Sequence, residues 1–368
     1  MTALDHPGDV SEAFGLDPDG DPALDRPRRP SRVDRAALSD VVVSALAALA
    51  AVGLLRGVLD WHGMLSSLLW GYGVFVIAFY LLGRDGQSQE RSVDRIVTVV
   101  IWSGAAVVAG ALGWMLVYLV ARGSHTMGFN FFTQDLSKVG PLDPGGGAKS
   151  AIIGTAEQVG AATVIVVPLA ILTAVYLNEL RGRLAGIIRF IVDAMSGLPS
   201  IVAGLLIFTV WVLNRGFSGA AGSAALVVLM IPTVTRTSEE ILRTIPDSLR
   251  EASLALGAPQ WRVVLRVVLP TALSGLLTAV ILGVARAVGE TAPMLLTASG
   301  SNFTNYNLFS GPQSDLPTFI FGLYKQPNAV QIDRAWTAAL ILVILVLILF
   351  LTARITLARA QRKLRRSR

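Results

Sequence analysis

Two residues of opposite charge stand four apart in an apolar stretch of this 368-residue chain, Arg286 and Glu290, with Thr291 directly after. Residues at i and i+4 share a helix face. An ionisable side chain near the centre of a spanning helix costs at least ~3 kcal/mol on insertion scales. One account is a mutually neutralising pair that fixes helix packing. The other is a site lining a path. An arginine fork holds a tetrahedral oxyanion through two N–H donors. A carboxylate beside that anion accepts a proton from an ion that still carries one and repels a fully ionised one.

A second group stands in residues 242–270. Pro246 suits a first helical turn, and Ser248 with Glu251 offers an alternative capping box. Leu249, Ala252, Ser253 and Leu256 fall at i, i+3, i+4 and i+7 on one face. Gly257 is a natural helix stop, and Pro259 prevents simple continuation. A short amphipathic run from Trp261 to Leu269 then leads to Pro270. The expectation is a helix–turn–helix that either lies on lipid, as Trp261, Arg250, Arg262 and Arg266 would suit, or fills a groove on a protein partner.

The elements that position these groups are membrane helices. The chain is 53% hydrophobic and 15% charged, with mean hydropathy +0.61, which excludes an ordinary soluble enzyme and a disordered chain. It has no cysteine and three scattered histidines, so neither thiol chemistry nor a metal site is expected. Eight stretches are long and apolar enough to span: about 38–59, 63–83, 96–121, 151–177, 187–213, 222–241, 271–298 and 336–357. The sixth is the weakest, because Pro232 interrupts it and Arg236, Glu239 and Glu240 end it.

Seven acids and no Lys or Arg occur in the first 25 residues, which reads as a disordered tail rather than a signal peptide. Five arginines follow in 26–35. With both termini and alternate loops inside, 23 of the 31 cations lie on the cytoplasmic side, which predicts eight spans with both ends in the cytoplasm. Gly53 and Gly57 suggest close helix packing in the first span. Arg189 and Asp193 are expected to snorkel and pair locally, and Glu157 either faces a pathway or pairs with a cation. The run Asp143 to Ser150 imitates a phosphate-binding loop but has Asp143 and Ala148 where glycines are required, so it is expected to be a turn opening a helix.

Glu251-Ala252-Ser253, Gly257 six residues after the glutamate, and Val267-x-Leu269-Pro270 resemble the EAA loop of bacterial ABC-importer permeases, with Ser253 for Ala and Val267 for Ile as departures. Further resemblance runs over about 129–325. Phe131-Phe132-Thr133, Gly145-Gly146-Gly147 and Ile152-Ile153-Gly154-Thr155 look like the opening of the permease domain, and Gly197 to Leu205 is similar to a signature of phosphate permeases. Gly289-Glu290-Thr291-Ala292-Pro293 after Arg286 resembles the PstA type of phosphate permease, and Leu316-Pro317-Thr318-Phe319 resembles that family's external loop.

The resemblance implies an all-α polytopic fold whose last six helices form a type I importer core. The expected organisation is a tail at 1–37, two extra helices at 38–95 and the core at 96–357. The shared permease domain lies at about 148–357, and a basic tail occupies 358–368. It implies a bacterial inner-membrane permease that is not itself an enzyme, with ATP bound by a partner. Implied partners are a second permease of PstC type, an ATP-binding dimer, an extracytoplasmic phosphate-binding protein, inorganic phosphate and the bilayer, with no nucleic acid. Glu251, Ala252, Ser253, Leu256 and Gly257 are then the contact with the ATPase, and Arg286, Glu290 and Thr291 the substrate path. A permease for sulfate or molybdate, a secondary transporter and a membrane scaffold are the rival readings. The EAA-like loop argues against the last two.

Overall fold

The structure is a computed structural model, and it describes residues 35–58, 63–84, 89–180 and 182–366. The acidic and arginine-rich segment before residue 35, Arg181 and the last two residues, on which expectations were placed, lie outside the described residues. Among the described residues all regular structure is helical, with two isolated β-bridges, Ser218 to Gly311 and Ser299 to Gln313. The chain divides into two compact units between Leu112 and Gly113.

The first unit contains α1 (Arg35–Val58), α2 (Met64–Arg84) and the start of α3 (Gln89–Gly123). α1 and α2 pair: Arg56 Nε donates to Ser67 Oγ at 3.3 Å, and a Cβ on Gly71 would come within 2.8 Å of Val52. The expected close packing at Gly53 and Gly57 is not found. Both glycines face open space, so the close approach uses the opposite helix's glycine instead.

The second unit holds the remaining elements. α4 (Phe129–Thr133) precedes α5 (Lys149–Val175), which ends in a π-turn at Tyr176–Leu180. Then come α6 (Ala185–Ser196), α7 (Ser200–Ile207, extended through a π-turn to Arg215), α8 (Gly219–Arg243), α9 (Asp247–Ala255) and α10 (Gln260–Val263). α10 runs through the π-turn Val264–Val268 into α11 (Leu269–Val288). α12 (Ala292–Thr297), α13 (Leu316–Tyr324) and α14 (Ala329–Arg366) complete the chain.

Five of these helices are long and apolar enough to cross a membrane: Ile96–Gly123, Lys149–Leu180, Gly219–Arg243, Gln260–Val288 and Ala329–Ile355. A sixth arises if α6 and α7 make one span. The N-terminal helices contribute shorter apolar segments, Val41–Leu54 and Ser66–Leu82.

Three expected spans differ in shape. The stretch 187–213 is not one rod, because α6 and α7 meet at 105°. Gly197, Leu198 and Pro199 explain the bend: proline has no N–H to continue the ladder and disfavours helical backbone at the residue before it. The stretch 222–241, expected to be weakest, is the continuous helix α8, and it passes through Pro232. With 67% of its apolar window buried it is the most enclosed of the five, against 0% for Ile96–Gly123. Packing compensates the bond that Pro232 cannot make. α5, α11 and α12 pack around α8, and Leu226, Met230 and Val234 join Val159, Val166, Val288 and Met294 in one core.

The stretch 271–298 ends at Val288. Gly289, Glu290 and Thr291 form a break before α12, where Pro293 occupies the first turn. Glu290 and Thr291 therefore stand at a helix end rather than inside a span. The short helix expected before Pro270 merges through its π-turn into α11, and Pro270 sits just after that π-turn, where the regular ladder of hydrogen bonds is already interrupted.

Candidate functional site

The 242–270 segment folds as the turn signals require. Pro246 caps α9 in extended backbone, Asp247 provides an acid in the first turn, and no capping box forms. Gly257 has φ +80, and its N–H donates to Leu254 O at 2.8 Å while Ala258 N–H donates to Ser253 O at 3.3 Å, closing the helix. No residue of α9 is buried. Glu251 and Ala252 are exposed, Ser253 is half-buried with Oγ donating to Leu249 O at 2.8 Å, and Leu256 is 89% exposed. Leu249, Leu254 and Trp261 are exposed as well, so the hairpin presents unpartnered apolar surface.

What holds α9 in place is Arg250, which points the other way. Its Nη2 donates to Glu179 Oε1 at 2.9 Å and Nε donates to Glu179 Oε2 at 3.1 Å. Nη1 donates to Ile245 O at 2.7 Å, and Nη2 also to Leu242 O at 2.9 Å. Gln260 Nε2 adds a bond to Glu179 O at 2.8 Å. The hydrogen bonds to Glu179 hold the Arg250 pKa above its ordinary value, so the guanidinium stays charged. The hairpin is thus fastened to the end of α5.

A second polar cluster closes the same end of α8. Glu239, 1% exposed, accepts from Arg189 Nη2 at 2.7 Å, Arg243 Nη2 at 2.6 Å and Arg236 Nη1 at 3.2 Å. Arg236 also pairs with Asp193. This corrects the expected local pair of Arg189 with Asp193: both reach across to α8 instead. The acid that ends an apolar stretch was visible in the sequence, but its partner 50 residues away was not.

Arg286 stands in the last turn of α11 with its side chain 55% exposed. Its Nε lies 3.6 Å from Glu290 Oε1, beyond hydrogen-bond range, and its Nη1 donates a long bond to Thr233 Oγ1 at 3.4 Å. The Glu290 side chain is 16% exposed, and Thr291 is the half-buried N-cap of α12 with no side-chain cap bond. The structure therefore brings Arg286 and Glu290 to one place without closing them on each other. Thr233, from α8, joins them.

Among the described residues Glu157 pairs with no cation. Its Oε2 accepts from Gln313 Nε2 at 2.5 Å, while Gln158 Nε2 donates to Gln313 Oε1 at 2.9 Å and Gln313 Nε2 also donates to Asn305 O at 3.0 Å. These bonds tie the 299–315 loop to α5. Residues 143–147 form a turn before α5, as expected, and Arg334 clamps it: Nε donates to Gly145 O at 3.0 Å and Nη2 to Asp143 O.

Residues 166–366 match the model of the binding-protein-dependent transport system inner membrane component family. The chain is 39% identical over 269 residues to phosphate transport system permease protein PstA 1 of Mycobacterium tuberculosis, covering 72% of this chain and 88% of that one. It is 38% identical over 281 residues to phosphate transport system permease protein PstA of Yersinia pestis, covering 75% and 94%. Among solved structures, one resembling fold is a bacterial ABC transporter involved in the import of the acidic polysaccharide alginate. It matches at 18% identity with TM-score 0.52, covering 70% of this chain and 96% of that one.

Proposed function

The chain belongs to the PstA family of phosphate transport permeases, and from that premise we propose that phosphate passes over the open face of α11 and α8 with Arg286 as its oxyanion contact. As a family member it is the permease subunit of a phosphate ABC importer, and ATP hydrolysis belongs to a partner subunit. One observation carries the assignment of the path. A guanidinium in an apolar helix is more than half exposed, and its nearest carboxylate lies 3.6 Å away. Left against lipid, such a charge costs at least ~3 kcal/mol. A pair that existed to neutralise itself would close to hydrogen-bond distance. An arginine with free donors on an open face fits a surface wetted by a path or completed by a partner.

In this reading Glu290 accepts the proton that phosphate still carries and disfavours sulfate. Thr291 adds a hydroxyl at the break between α11 and α12. The exposed face of α9, with Glu251, Ala252, Ser253 and Leu256 set by the turn at Gly257, docks into the ATPase. A second permease of PstC type and an extracytoplasmic phosphate-binding protein complete the importer. We further propose that α1 and α2 are two spans ahead of a six-helix core at 96–357, with both termini cytoplasmic. The cation distribution supports that orientation.

The test is ATP-driven uptake of radiolabelled phosphate by the four-component system in proteoliposomes, with sulfate as competitor. Glu290→Gln replaces a repelling carboxylate by an amide that donates, so sulfate should begin to inhibit. Unchanged discrimination in Glu290→Gln contradicts the role given to Glu290, and wild-type uptake in Arg286→Lys contradicts a bidentate arginine contact.

A further inference from the structure

A cavity of about 530 Å³ with both polar and apolar lining lies at the other end of α5 from the coupling hairpin, walled by the 136–141 loop, Ser299–Asn302, α13 and the start of α14. The path described above does not use it. Ser299 (φ 63) and Gly300 (φ 68) are consecutive left-handed residues, and Ser299 is the one non-glycine residue with positive φ among the described residues. Such strain in a non-glycine residue clusters at ligand sites. The N–H groups of Ser301 and Asn302 donate to no acceptor among the described residues, whereas the Gly300 N–H is taken up by the bridge to Gln313.

Two buried side chains add to these donors. Arg334, 3% exposed, uses Nε and Nη2 on the 143–145 turn and leaves Nη1 without a hydrogen bond. Gln331, 9% exposed, has a side-chain oxygen with no partner. The two ends of that amide exchange by a flip that keeps its shape, which turns an orphaned acceptor into a donor. No Asp or Glu lines the cavity. Unpaired backbone donors, a buried guanidinium and no carboxylate are the composition of an oxyanion site.

We propose that this cavity binds a tetrahedral oxyanion, either free phosphate or the phosphate of a lipid headgroup, at the end of the permease opposite its coupling hairpin. Its service as a holding site for transported phosphate rests on the function proposed above; the binding does not.

The probe is radiolabelled orthophosphate in equilibrium dialysis against the assembled permease–ATPase complex in detergent, without the binding protein. Ser301→Asp places a negative charge in the cavity and keeps the acceptor that Ser301 Oγ offers to Phe303 N–H. Ser301→Asn is the neutral control. The expected result is at least a tenfold loss of affinity in Ser301→Asp, none in Ser301→Asn, and the same Ser301-sensitive binding in Arg286→Gln, at equal melting temperatures. If short-chain phosphatidylglycerol shows that sensitivity and orthophosphate does not, the occupant is a headgroup. If neither anion distinguishes Ser301→Asp from Ser301→Asn, the proposal is wrong. A complex that binds in this Ser301-sensitive way but does not import phosphate overturns the transport reading and leaves the site intact.

Discussion

Arg250 of α9 and Glu179 at the end of α5 hold each other through hydrogen bonds of 2.9 and 3.1 Å across 71 residues of chain. The pair fastens the α9 hairpin to a long helix of the permease. Both side chains are well shielded, so solvent weakens the pair little. Removing one partner of a buried pair costs ~3–5 kcal/mol, because the other charge is left uncompensated.

Arg250→Ala and Glu179→Gln should each uncouple the transporter: ATP hydrolysis by the assembled complex persists while phosphate carried per ATP falls. The charge exchange Arg250→Glu with Glu179→Arg should recover part of that ratio. Equal stoichiometry in wild type and both single variants would remove the link from the account.

The hairpin turn gives a second prediction. A Cβ on Gly257 would meet open space, so only its φ of +80 resists substitution. Left-handed backbone costs a residue with a side chain ~1–2 kcal/mol, most for a β-branched one and least for asparagine. Gly257→Val should lose co-purification with the ATPase and Gly257→Asn should retain it. Equal recovery of ATPase with both variants would separate the turn from docking.

How much of this was legible in the sequence depends on the range of the interaction. Pro246, Gly257 and Pro259 are local signals, and they marked the ends of α9 because each acts on its own backbone. The 105° bend at Gly197–Pro199 was hidden inside a continuous apolar run, since hydropathy reports length and not direction. Pro232 misled in the opposite sense: its lost hydrogen bond is small beside the burial of α8 among three other helices. The holds of Glu239 on Arg189 and of Glu179 on Arg250 join segments 50 and 71 residues apart, and no spacing rule reaches that far. Arg286 and Glu290 were found by their spacing. Their separation of 3.6 Å came only with the break after Val288.

The 299–318 segment should respond to pH through two acids of opposite behaviour. Burial, opposed by hydrogen bonds from Thr318, raises Asp315 from 3.8 to about 7. Between those values the folded chain holds a proton that the unfolded chain has lost, so stability falls as pH rises through that window. For Asp135 burial acts upward, but hydrogen bonds from Ser137 and Thr304 outweigh it and bring the value down to about 2. Its contribution is therefore present above pH 3.8 and is lost as pH falls toward 2. Asp315→Asn should flatten thermal stability between pH 4 and 7 in detergent, roughly the window those values span. An unchanged slope would show that Asp315 does not titrate there.

Orientation is tested by labelling, and the absence of cysteine makes the background clean. Cysteines at Ser310 and at Leu256, both exposed, should react with an impermeant maleimide differently in intact cells. Ser310→Cys should label from outside, and Leu256→Cys only after permeabilisation. External labelling at Leu256 would place the hairpin on the wrong side for an ATPase.

The most direct measurement of the central claim is phosphate uptake in a double-mutant cycle on Arg286 and Glu290. Arg286→Gln leaves a carboxylate unpaired, Glu290→Gln leaves a guanidinium, and the double variant leaves neither charge. The account predicts that the double variant inserts, assembles with the ATPase and fails to import phosphate, because the anion has lost its contact. Uptake near wild type in the double variant would contradict it, and would make Arg286 and Glu290 a packing pair.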